Sequence, residues 1–272
     1  MKNRTFLHRF ERYYGPAFPD QPVLVDITET AAWLADDMDA NVSHPFQRYP
    51  YLLSPWQIAW YQYTAPYNLR NLLGPSLTQR IGCCVLVEQT EDGFQQAVVS
   101  VLDGFQDRPI LVSKIVVSLN KDGSLADESY DLYPSGHADD DWENMTEGDW
   151  AVVSAHLANP VFFACSLLHC KNVSLVDDRP ENRVERRQRE RAGLPEVRFK
   201  TLVIEPLREQ IRRQGGSGSG VSRALHIVRG SFADYTEGPG LFGKLHGIYY
   251  RPQHVRGDAS KGKIVKDYKL IP

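Results

Sequence analysis

The longest apolar run in the chain, Trp150 to Cys170, sets the first constraint on its fold. Its length suits a membrane span. His156, Asn159, Pro160 and His169 interrupt it, however, and no clean apolar stretch of about 18 residues remains. The run therefore predicts a buried core helix, kinked or broken at Pro160, where the ladder loses an N–H donor. The 272 residues predict one large domain or two modest ones, and 42% apolar with 24% charged content is ordinary for a folded chain.

Strand signals precede this helix. Cys83–Gln89 and Gln96–Leu102 are β-branched runs joined by Thr-Glu-Asp-Gly-Phe, which suits a hairpin loop. Ile110–Leu119 follows as a third strand, closed by the turn Asn120-Lys-Asp-Gly123. The three predict an antiparallel meander. Residues 127–143 are acidic and turn-rich. Upstream, Tyr49 to Tyr67 is dense in aromatics. Ser54-Pro55 reads as N-cap and first helical position there, predicting an amphipathic helix with its aromatics in the core. A base-stacking platform is the alternative, disfavoured because no basic residues interleave. Residues 1–50, punctuated by five prolines, read as irregular apart from one helix over 26–40 capped by Asp26 or Thr28.

Beyond the apolar run the character changes. Residues 1–180 hold 12 Lys/Arg against 24 Asp/Glu, a net −12, whereas residues 181–272 hold 19 against 10, a net +9. Arg179–Arg198 interleaves arginines with glutamates, and Glu185 with Arg189 is spaced for an i,i+4 pair. Lys200–Pro206 reads as a strand, and Gln214–Gly220 as a flexible Gly/Ser linker. Further strands are predicted at Arg223–Ser231, Gly247–Arg251 and Ile264–Leu270. The expected class is α+β: antiparallel sheets, few helices and a strand-rich C-terminal module. The expected division is an acidic region over 1–178 and a basic module over 179–272, with its linker at 215–220. Such asymmetry suggests a polyanion partner for the basic part, or docking of one part on the other.

Chemistry-bearing residues concentrate at the C-terminus. Leu225-His-Ile-Val-Arg-Gly230, Leu241 to Tyr250 and His254-Val-Arg-Gly257 bring His, Arg, Tyr and Lys together. Metal-free cleavage of RNA needs a base, an acid and cations for the charged phosphorane. Histidine fills either proton-transfer role near neutrality, and arginine binds phosphate oxygens with a planar fork. The candidate catalytic residues are His226, His246, His254 and Tyr235; the candidate phosphate ligands are Arg229, Lys244 and Arg256. Strand alternation separates His226 from Arg229 unless a bulge intervenes. No metal site is expected. Cys165 and Cys170 lack a second pair at zinc-like spacing, and Cys83-Cys84 reads as buried in a strand. The acidic run Asp139–Asp141 reads as a solvated loop. Gly240-Leu-Phe-Gly-Lys244 lacks the spacing of a phosphate loop. No cofactor is expected.

Cys170-Lys-Asn-Val173, Arg189-Glu-Arg-Ala-Gly-Leu-Pro195, Lys200–Pro206 and the C-terminal HIVRGSFADY, LFGKLHGIYY and HVRG segments resemble a family of uncharacterised phage and prophage proteins. The resemblance covers about residues 165–272. It implies a phage- or prophage-type protein and no particular activity. The family's strand motif often reads H-x-x-R-G-H-F, and here Ser231 stands at the last histidine position. The expectation is a cytoplasmic protein, not held in a membrane, whose basic module contacts RNA or DNA phosphate, either by binding alone or with a metal-independent, ribonuclease-like cleavage. The alternative is a non-enzymatic protein docking a partner through Phe242, Tyr249 and Tyr250.

Overall fold

The computed structural model describes residues 6–7, 10–11, 18, 23–35, 46–65, 80–103, 109–134, 146–177, 183–194, 198–204, 224–228, 230–241, 243–251, 254–256 and 258–263. The fold is α+β. Contacts divide the chain into two compact units, one of residues 1–168 with 175–202, the other of 169–174 with 203–272.

The first unit is built on one sheet. Its strands are β1 (Val23–Asp26), β2 (Ile58–Thr64), β3 (Arg80–Gln89), β4 (Gly93–Asp103), β5 (Pro109–Asn120), β6 (Leu125–Pro134), β7 (Val173–Asp177) and β8 (Arg198–Ile204), in the order β6-β5-β4-β3-β2-β1-β8-β7. The helices are α1 (Thr28–Ala35), α2 (Glu147–Leu168) and α3 (Arg183–Arg191). From β2 to β6 the strands run as an antiparallel meander. Local turn chemistry sets its register. Between β3 and β4 the Thr90 N–H donates to the Gly93 carbonyl at 3.0 Å, and between β5 and β6 Gly123 sits at φ 87° and donates to the Asn120 carbonyl at 2.9 Å. That positive φ suits glycine because no Cβ meets the following carbonyl.

Several expectations are corrected. The aromatic stretch is not a helix: Ile58–Thr64 is the strand β2, with Ala59 through Tyr63 all buried. It lies between β1 and β3 and is covered on both faces, so apolar residues occupy both sets of alternating positions. The expectation that these aromatics form core stands. Residues 1–50 are not wholly irregular, because β1 pairs in parallel with β2 and with β8, which makes the sheet mixed rather than purely antiparallel. Part of the acidic stretch, residues 127–134, lies in β6. The predicted helix after Asp26 is shorter, Thr28–Ala35, and the Asp26 carboxylate accepts the Thr28 N–H at 3.0 Å as a cap.

Helix α2 runs unbroken through Pro160. Proline removes the donor that the His156 carbonyl would use. The neighbouring Leu157 carbonyl finds partners in the sheet: the Tyr63 hydroxyl donates to it at 2.7 Å and the Cys83 thiol at 3.9 Å. His156 is satisfied within the helix, with Nδ1 donating to the Val152 carbonyl at 2.7 Å. The helix is long and apolar enough to cross a membrane, but 83% of its Ala151–Leu168 window is buried inside the protein. It covers the face of the sheet carrying Tyr61, Tyr63 and Cys83. The opposite face packs Leu24, Trp60, Cys84 and Val101 against Phe6, Leu7, Phe10 and Phe18.

The basic helix α3 belongs to this first unit rather than to the C-terminal one. Arg189 was expected to pair with Glu185, whose side chain lies outside the described residues. Arg189 turns inward and its guanidinium donates to Glu11 at 2.6 Å, with both side chains buried. Arg186 and Glu190 form an exposed i,i+4 pair at 3.6 Å.

Candidate functional site

The second unit carries the predicted site residues on two small sheets. One is the antiparallel pair β10 (Ser231–Asp234) and β11 (Ile248–Arg251), with Ser231 opposite Arg251 and Phe232 opposite Tyr250. The other edge of β11 is completed by residues 171 and 172. Lys171 N–H donates to the Ile248 carbonyl at 2.8 Å, and the Asn172 side chain bonds both backbone groups of Tyr250.

The connection from β10 to β11 holds Lys244 and His246, both exposed. Asp234 starts it, accepting the Thr236 N–H at 2.8 Å and its hydroxyl at 2.5 Å, and these bonds hold the Asp234 carboxyl below its ordinary range. Tyr235 N–H then donates to the Gly247 carbonyl at 2.9 Å. Gly240 sits at φ 77°, and a Cβ there would lie 3.2 Å from the His246 ring, so close approach as well as conformation favours glycine. The Tyr235 ring lies 5.4 Å beneath the Arg251 guanidinium and edge-on to Tyr249 at 6.2 Å.

The second sheet has β9 (Ala224–Val228) at its centre, flanked by β12 (His254–Arg256) antiparallel and β13 (Asp258–Lys263) parallel. In the β9–β12 register His226 stands opposite Arg256 and Val228 opposite His254. Cross-strand partners share a face, as do residues two apart on one strand. His226, His254 and Arg256 therefore occupy positions on one face of this sheet. His246 belongs to the other sheet's loop, so His226 and His246 are carried by different sheets. Arg229 and Phe242 lie outside the described residues, as do Asp139–Asp141, the Gly/Ser linker and the predicted strand at 264–270.

The register supplies what strand alternation alone could not: a position for Arg256 opposite His226, from a distant part of the sequence. Arg251 and Asn172 were not among the predicted site residues. Pairing SFAD with IYYR as a hairpin would have drawn attention to Arg251. For Asn172 the sequence carried no signal beyond its place in the Cys170–Val173 segment.

Among the described residues no group of three or more His, Cys, Asp or Glu side chains could hold a metal ion. The four cysteines are buried thiols outside any disulfide, and burial pushes each up to about 12, so they remain protonated near neutrality. Tyr249 and Tyr250 are buried, which corrects the expectation that they form a docking surface. No protein-family model matches the chain, and no curated protein matches it.

Proposed function

We propose that the C-terminal unit contacts the phosphate backbone of RNA or DNA through His226, His254 and Arg256, and cleaves RNA there without a metal. The observation supporting this reading is the β9–β12 register, with Arg256 opposite His226 and His254 two residues along β12, opposite Val228 on the same face. The chemistry balances with these groups alone. One imidazole takes the proton of a 2′-hydroxyl, whose oxygen attacks the adjacent phosphorus. The 5′-oxygen leaves with a proton from the second, protonated imidazole, giving a 2′,3′-cyclic phosphate. Arg256 stabilises the charged phosphorane with its planar donor fork. Lys244 and His246, exposed on the β10–β11 connection, add backbone contacts. The phage- or prophage-type, cytoplasmic setting of this reading rests on the sequence resemblance and composition.

The test is cleavage of a mixed-sequence RNA in the presence of chelator, by wild type, His226→Ala and His254→Ala. Wild type is expected to cleave RNA, to bind but not cleave the matching DNA, and to lose activity by 100-fold or more in either variant, in line with the roughly 10²–10⁴-fold worth of a general acid or base. RNA binding without cleavage removes the catalytic part and leaves phosphate contact. Binding that is absent, or unaffected by salt, removes both, because phosphate contact releases counterions.

A further inference from the structure

We propose that Arg183, Arg187 and Arg191 on α3 form a second nucleic-acid backbone contact, carried by the first unit and separate from the histidine face. The buried Arg189–Glu11 pair fixes the rotation of this helix. Successive helical residues are about 100° apart, following from 3.6 residues per turn. With Arg189 pointing inward, Arg187 and Arg191 come out roughly opposite it, and Arg183 beside them. All three are exposed. Among the described residues none of the three pairs with a carboxylate, while Arg186 and Glu190 pair with each other on the flank.

This arrangement carries a cost that solvation alone does not explain. Arg183/Arg187 and Arg187/Arg191 are like charges at i,i+4, which destabilise a helix. The ion pair that turns them outward is itself buried, and a buried pair must offset a large desolvation penalty. The product is a rigid cationic row with steps of about 6 Å, from a rise of about 1.5 Å per residue. Arginine suits phosphate better than other anions at such a row, because its fork takes two oxygens at once. A repeating polyanion relieves all three charges together. A membrane surface fits less well, because the outward face has only Val184 as an exposed apolar side chain to insert. This inference takes its partner from the nucleic-acid reading above but uses none of the same residues.

The experiment measures binding of the full chain to labelled single-stranded RNA and duplex DNA across 50–300 mM salt. It compares wild type with R183Q/R187Q/R191Q, R183K/R187K/R191K and the flank control R186Q. Each lost phosphate contact lowers the log–log salt slope by about 0.7 on single strands and about 0.9 on duplex. The glutamine triple variant is expected to lose about 2–3 units of slope and roughly 100-fold in affinity at 0.1 M salt. The lysine triple keeps the slope, and R186Q stays within about twofold of wild type. Glutamine and arginine have similar helix propensity, so helix content by circular dichroism is expected to hold. A glutamine triple variant with wild-type slope and affinity overturns the inference, as does arginine-dependent binding to anionic vesicles or acidic polypeptide with none to nucleic acid. If only His226→Ala and Arg256→Ala lower binding, the α3 surface fails and the histidine face stands. If only the glutamine triple does, the reverse holds. Absence of salt-dependent binding in wild type ends both.

Discussion

Asn172 pairs with Tyr250 as one strand residue pairs with another: its Nδ2 donates to the Tyr250 carbonyl at 2.7 Å, and its Oδ1 accepts the Tyr250 N–H at 2.9 Å. A side chain thereby closes the edge of β11 that β10 leaves open. Both residues are buried, so no water replaces these bonds without opening the unit.

Asn172→Asp tests this directly. The substitution replaces a donor with an acceptor facing the Tyr250 carbonyl and buries a charge. An unsatisfied buried group costs about 1–3 kcal/mol, more when charged, so the loss expected is at least about 2 kcal/mol. Hydrogen exchange should show the Tyr250 amide and its neighbours in β10–β11 losing protection, while β3–β5 in the first unit keep theirs. Unchanged protection at Tyr250 contradicts this role.

The Glu11–Arg189 pair predicts a pH dependence with a defined sign. Desolvation raises the Glu11 carboxyl above its ordinary 4.5, against the opposing hydrogen bond and charge of Arg189. Its Oε1 is buried without a hydrogen-bond partner, which accounts for part of that cost. The native state then holds this proton more tightly than the unfolded chain. Glu11's contribution to stability is largest below about pH 4.5 and is lost as pH rises through the raised value. Denaturant melts at pH 4 to 8 should show this component in wild type and not in Glu11→Gln. Arg189→Met alone should cost about 3–5 kcal/mol, and adding Glu11→Leu should recover much of it, because the lone buried charge is what destabilises.

Gly82 is set against Trp60 so closely that a Cβ would fall 2.1 Å from Trp60 Cζ2 and 2.7 Å from Phe6 Cε1. Gly82→Ala must displace two large buried rings, and overpacking of this kind costs about 1–3 kcal/mol. Thermal unfolding should show a lowered midpoint, with near-ultraviolet dichroism reporting a changed tryptophan environment. A variant as stable as wild type would contradict close packing of the Trp60 and Phe6 rings against Gly82.

These residues mark where the sequence was informative. The meander was legible because its turns are local: Gly93 and Gly123 sit where hairpin and turn chemistry require them. Helix α2 was legible from its length and apolarity. β2 was misread because Ser54-Pro55 imitates a helix start. A strand buried on both faces also lacks the period-two pattern that would have contradicted it. Ser54 is instead tied to β4, its N–H donating to Gln96 Oε1 at 2.7 Å, far along the chain. The inward rotation of Arg189 depends on Glu11, 178 residues earlier, and spacing rules within α3 have no access to it. The same holds for the site. Alternation in the sequence led only to the expectation that His226 and Arg229 part, whereas the cross-strand register places Arg256 opposite His226.

Tyr235 separates a chemical role from a positioning one. It was expected among the catalytic residues, yet its ring underlies the Arg251 guanidinium at 5.4 Å and meets Tyr249 edge-on. That geometry uses the aromatic face and not the hydroxyl. A cation–π contact at a partly exposed site is worth about 0.5–1 kcal/mol, or roughly a two- to fivefold change in an equilibrium. If Tyr235 holds Arg251 ready for a phosphate, Tyr235→Phe should leave RNA affinity and cleavage within about twofold of wild type. Tyr235→Leu should weaken binding roughly two- to fivefold, with little further loss when Arg251→Ala is added. If the hydroxyl takes part in proton transfer, Tyr235→Phe will instead lower cleavage at unchanged affinity. Anisotropy titrations and initial cleavage rates on the same RNA distinguish the two.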